Sequence, residues 1–87
     1  MKFQNTFTSR EQRYALGVEL ESGRRFASIP VANRMADYNE IYRISDDEYE
    51  LFLESPSLAL ESIESCRRRE QDYRLYFLPG HDRGTPS

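Results

Sequence analysis

Tyr38-Asn39-Glu40-Ile41-Tyr42-Arg43-Ile44-Ser45-Asp46-Asp47-Glu48 decides the fold. Up to Ile44 the side chains alternate, with Tyr38, Glu40, Tyr42 and Ile44 on one face, the period of a strand half covered by a core. At Ser45 the period lengthens to between three and four. Ser45 and Glu48 have the spacing of a capping box, in which the serine oxygen accepts from the backbone three residues on and the glutamate reaches back. Asp46 and Asp47 suit the positive end of a helix dipole. A strand therefore ends and a helix begins within two residues.

Working towards the N-terminus, Tyr14, Leu16, Val18 and Leu20 alternate with Ala15, Gly17 and Glu19, a second strand signal. Ser22-Gly23 supplies the positive-φ position of a tight turn, and Arg24–Val31 reads as the hairpin partner. Pro30 cannot donate to a ladder, so that strand has a free edge there or ends there. Asn33 to Asp37 is the connection to the third strand. Residues 1–12 are polar apart from Phe3 and Phe7 and fit an edge strand or a loose arm equally.

Towards the C-terminus, Tyr49, Phe52 and Leu53 form the buried stripe of a first helix. Ser55-Pro56 closes it and opens a second, with Ser55 as cap and Pro56 at the first helical position. Ala59, Leu60, Ile63 and Cys66 are the second stripe, and Arg67-Arg68-Arg69 falls where cations favour a helix C-terminus. Asp72–Leu78 returns to a strand closed by Pro79-Gly80, and 79–87 is a tail. The expected architecture is α+β: a three-stranded antiparallel meander, two helices on one face and a C-terminal strand, β-β-β-α-α-β. With 87 residues the chain has room for a single domain, 1–87.

Charge is distributed unevenly. Between Ala36 and Cys66 lie nine carboxylates against one base, Arg43, in a chain whose net charge is −3. A one-signed surface steers encounters with a partner of opposite sign. Asp37, Tyr38, Glu40, Tyr42, Asp46, Asp47, Glu50 and Glu54 are therefore the candidate partner-binding residues, the tyrosines as anchors and the acids as acceptors for Lys and Arg. A tyrosine-rich core edge explains Tyr38, Glu40 and Tyr42 as well, and both readings stand on the sequence.

Chemistry of turnover finds little support. His81 is the one histidine and sits in the Gly- and Pro-flanked tail, with no packed partner to hold an acid–base pair. Cys66 lies on a core stripe. Asp46, Asp47, Glu48 and Glu50 lack the alternation and glycine of a calcium loop. Glu40 paired with Asp37 or Glu48 would be a carboxylate-only site with nothing to position a substrate. No catalytic residue, metal ligand or cofactor is expected. Acidic balance argues against nucleic acid, and Arg67–Arg69 is a solvated helix end. No apolar run reaches membrane-spanning length, and the single cysteine fits a reduced, cytoplasmic protein.

Small size, acidity and absence of catalytic parts resemble the immunity proteins of bacterial toxin–immunity systems, including contact-dependent growth inhibition. The segment Ser28-Ile29-Pro30-Val31-Ala32-Asn33 through Asp37-Tyr38-Asn39-Glu40 is also similar to stretches in small bacterial proteins. That resemblance implies a non-catalytic inhibitor whose acidic surface blocks a basic nuclease toxin, as monomer or homodimer, and it transfers no residue role. The alternative is a structural or accessory subunit that self-associates through the sheet edge near Pro30.

Overall fold

The computed structural model describes residues 1–32 and 37–77 and the backbone of Thr85–Pro86. Strands β1 (Phe3–Ser9), β2 (Tyr14–Glu19), β3 (Arg25–Ala32) and β4 (Tyr38–Ile44) form an antiparallel sheet in the order β1-β2-β3-β4. Helices α1 (Asp46–Glu54) and α2 (Pro56–Arg67) follow, then a 3-10 turn at Asp72–Arg74 and a two-residue β5 (Thr85–Pro86). The α+β class stands, but the meander has four strands rather than three. Residues 1–12 supply the added edge strand. The expected connection at 33–36 lies outside the described residues.

Register assigns the two faces. Leu16 lies opposite Ala27, which lies opposite Tyr42, and Ile29 lies opposite Glu40. Tyr14, Leu16, Ala27, Ile29, Val31 and Tyr42 thus share the face on which Phe52, Ala59, Ile63, Cys66 and Leu75 pack. Within α1 only Phe52 is buried, with Tyr49 half-buried against the core. Leu53, expected in the stripe, is 43% exposed because it lies about 100° around the helix from Phe52. In α2 the expected Ala59, Ile63 and Cys66 are buried. Burial pushes the Cys66 thiol up to about 12, so it packs as a small apolar group.

Caps and turns form where local chemistry demands them. Ser45 Oγ accepts from Glu48 N–H at 3.0 Å and Glu48 Oε1 accepts from Ser45 N–H at 2.9 Å, completing the capping box. Pro56 stands at the start of α2, although Ser55 makes no side-chain cap bond there. Gly23 takes φ +73° in the β2–β3 turn. Helix α2 ends with Arg69 at φ +62°, the left-handed position that closes a helix by turning two amides back.

Among the described residues, the C-terminal strand expected at Asp72–Leu78 is not formed. Asp72–Arg74 winds into a 3-10 turn, and a single antiparallel bridge joins Leu75 to Tyr42. Arginines explain the difference. Arg43 donates to the carbonyls of Tyr73 and Arg74 at 3.1 and 3.3 Å, and Arg74 reaches across to both Glu48 oxygens at 2.8 and 2.9 Å. These bonds give the Tyr73 and Arg74 carbonyls a side-chain donor instead of a ladder partner. Burial alone would raise the Glu48 carboxyl, but Arg74 and the Ser45 amide keep it below its ordinary value. Of the expected tail, Thr85–Pro86 pairs with Val31 and Ala32, along the edge of β3 that β2 leaves beyond Ser28.

The second face of the sheet is not open water either. Phe3, Phe26 and Tyr76 meet edge to face, each at 5.3 Å from Phe3, and bury Phe26 to 1% exposure. Glu19, on this same face, is 2% exposed. Its carboxylate accepts from the backbone N–H of Lys2 at 2.9 Å, Glu21 at 3.0 Å and Ser22 at 2.8 Å, tying the N-terminus to the β2–β3 turn. Those donors, Lys2 foremost, lower its pKa from 4.5 to about 2. Because the folded carboxyl is the stronger acid, its stabilisation is complete above pH 4.5 and disappears as pH falls towards 2. The melting-temperature gap between the native chain and Glu19→Gln is expected to be widest at neutral pH and to close over that window. A gap constant from pH 7 to pH 2 would contradict it.

Candidate protein-binding surface

The eight candidate residues separate into an inner and an outer group. Glu40 and Tyr42 are 4% and 0% exposed, on the helix-covered face of β4. Tyr42 Oη donates to Glu40 Oε1 at 2.8 Å and lies 3.4 Å from the Cys66 carbonyl, and Arg69 approaches Glu40 at 3.9 Å. These two residues are a hydrogen-bonded part of the core, not partner anchors. The alternation put them on one face, and of the two readings left open for it the core edge is the one realised at Glu40 and Tyr42. Tyr38 is half-buried against the same core. Asp37 is exposed, but it stands eight residues before Ser45, roughly 25 Å back along the strand direction. It does not join the helix carboxylates by way of β4.

The outer group is continuous. At 100° per residue, Asp46, Glu50, Glu54 and Asp47 fall within a 100° sector of α1, opposite Phe52. All four are exposed. Asp46 meets Arg25 at 3.5 Å, and Arg25 also lies over the Tyr49 ring at 4.4 Å, so this acid is partly neutralised from the sheet. Among the described residues, Asp47, Glu50 and Glu54 form no ion pair. The helix is held to the sheet by Phe52 and by Tyr49, whose hydroxyl bonds Thr6 of β1 at 2.5 Å. A capped helix anchored on one side thus presents a rigid row of unneutralised carboxylates on the other.

Sequence reasoning missed the apolar neighbour of this row. A depression of about 440 Å³ between α1 and α2 is lined by Leu51, Phe52 and Leu58, with Glu61 and Arg68 at its rim. Leu51 is 44% and Leu58 42% exposed, and Leu51 follows Asp47 by one helical turn. The signal was present: neither leucine falls on the stripe that Phe52 or Ala59 defines, so both had to face outward.

Comparison adds no relative. No protein-family model, curated protein or solved structure matches this chain. The surface must be read from its own chemistry. Among the described residues no group of three His, Cys, Asp or Glu side chains gathers as a metal site, and no helix is long and apolar enough to cross a membrane.

Proposed function

We propose that this protein is a non-catalytic binding module that docks a basic protein, in the manner of an immunity protein blocking a toxin domain. One observation carries the reading: Asp47, Glu50 and Glu54 stand unpaired along the outer side of α1, beside leucines that a partner would cover. Acids around an apolar centre give long-range steering and a short-range anchor. The alternative is a structural or accessory subunit that self-associates through the β3 edge near Pro30, next to the Val31–Ala32 stretch that pairs with Thr85–Pro86.

The test uses the product of the neighbouring reading frame as the partner. The triple change Asp47→Lys, Glu50→Lys, Glu54→Lys is expected to slow association at low salt about tenfold or more, with the difference fading as salt rises. Dissociation should respond to Leu51→Ala and Leu58→Ala, while Tyr42 acts only through folding. If the partner is a nuclease, one equivalent of the native chain should abolish its activity. Association kinetics identical in the native and triply reversed proteins would remove the acidic face from the proposal.

A further inference from the structure

On the sheet face opposite the helices, the aromatic cluster of Phe3, Phe26 and Tyr76 covers one end only. At the other end, towards the β1–β2 loop, lies a groove of about 360 Å³. Its floor is Ala15, Ser28 and Pro30, and its polar walls include Asn5 and Thr8 of β1 and Asn39 of β4. Arg10 and Arg13 complete it from the loop. Small floor residues leave the hollow, because a larger side chain at Ala15 or Ser28 would fill it.

The polar groups here are notable for what they do not bond. Among the described residues, the side chains of Asn5, Thr8, Arg10, Arg13, Ser28 and Asn39 form no internal hydrogen bond or ion pair, and no carboxylate lines the groove. For exposed residues water suffices. Ser28 is 8% exposed at the floor, and its hydroxyl, without a partner among the described residues, still opens onto the groove. Arg13 is held by an unusual backbone at φ +58°. Arg67, itself paired with Glu64, donates to the carbonyls of Gln12 and Arg13 at 2.6 and 2.9 Å and fixes the loop from behind. Left-handed backbone at a bulky residue persists only where surrounding bonds enforce it.

We propose that this groove binds a small organic anion, a carboxylate or phosphate ester whose apolar body rests on Ala15 and Pro30. Arg10 and Arg13 would take the oxyanion through charge-assisted bonds, with the Ser28 hydroxyl and the amides of Asn5 and Asn39 completing its shell. The volume suits a molecule of about ten heavy atoms, near the lower end of ligand-site sizes. This site is independent of the α1 surface and would give the protein a second, ligand-responsive face.

The experiment is an amide NMR titration of the full chain with phenyl phosphate, benzoate and inorganic phosphate. Saturable shifts at Ala15, Ser28 and Asn39 are expected for at least one organic anion, tighter than for inorganic phosphate. Preference between phenyl phosphate and benzoate assigns the headgroup, and either supports the site. Arg10→Gln and Arg13→Asn should each weaken binding about tenfold, the strength of one charge-assisted bond. Asparagine tolerates left-handed backbone, so the second variant retains the loop. Shifts that grow linearly without saturating, that cluster at Arg67–Arg69, or that persist unchanged in both variants would overturn the assignment.

Discussion

Replacing Phe52 with alanine is expected to cost about 3–5 kcal/mol, the range for emptying a buried aromatic site. Phe52 is the one fully buried side chain of α1, so no other residue of that helix can take over its seat. A domain of this size is stable by roughly 4–13 kcal/mol, and the loss corresponds to a fall in melting temperature of at least about 12 °C. The damage should also be local. Nine residues are too few for a helix to persist in water without docking, and α1 has nine. Hydrogen exchange at Tyr49–Ser55 should therefore accelerate ahead of β2 and β3, and the carboxylate row should lose its shape. A loss below about 1 kcal/mol, or exchange accelerated uniformly, would show that α1 is held by something other than this ring.

Gly17→Ala is expected to cost about 3 kcal/mol, the upper end for overpacking a filled interior. Gly17 lies opposite Phe26 in β3 and Asn5 in β1. A methyl group there would stand 2.1 Å from the Gln4 carbonyl oxygen and 2.5 Å from the Phe26 ring. The ring is confined by Phe3, and the carbonyl belongs to the sheet, so neither can move aside without opening β1 or the aromatic cluster. Glycine is needed here for space, not for dihedral freedom. Urea unfolding of Gly17→Ala, Phe26→Leu and the double variant checks the cause: the double variant should be destabilised by less than the two single losses added together. Strict additivity would locate the clash elsewhere.

What could be read from the residues was what local chemistry determines. Ser45, Glu48, Pro56 and Gly23 act on neighbours three residues away or fewer, and all four sit where spacing put them. The β1 strand was undecided because residues 1–12 are polar and offer only Phe3 and Phe7 to set a period. A bulge between Asn5 and Phe7 shifts the register, so Phe3 meets Phe26 on one side while Phe7 aligns with Leu16 on the other. Alternation through Tyr73, Leu75 and Phe77 imitated a strand, yet only Leu75 enters the core; Tyr73 is 71% and Phe77 58% exposed. Arg43, which holds this segment, acts from 30 residues away in β4, beyond the reach of any local pattern.

Charge misled in the opposite direction. Glu19 looked like a solvent position and Glu40 was left between interface and core edge, because carboxylates seldom enter a core unpaired. Each is buried by virtue of donors that only the folded chain assembles, Tyr42 for one and three backbone amides for the other. The acidic row on α1 was legible because a helical period arranges side chains without needing tertiary contacts. The groove at Ser28 was not, since its hollow is made by small residues from two strands, and their smallness carries no period.

The shift of register in β1 has a consequence for crowded solution. Edge strands recruit copies of themselves when their amides and carbonyls are evenly spaced, and growth by that route ends in fibres. An incoming strand aligned with Phe3–Asn5 would be out of step from Phe7 onward. That irregularity makes the strand a poor template for polymerisation.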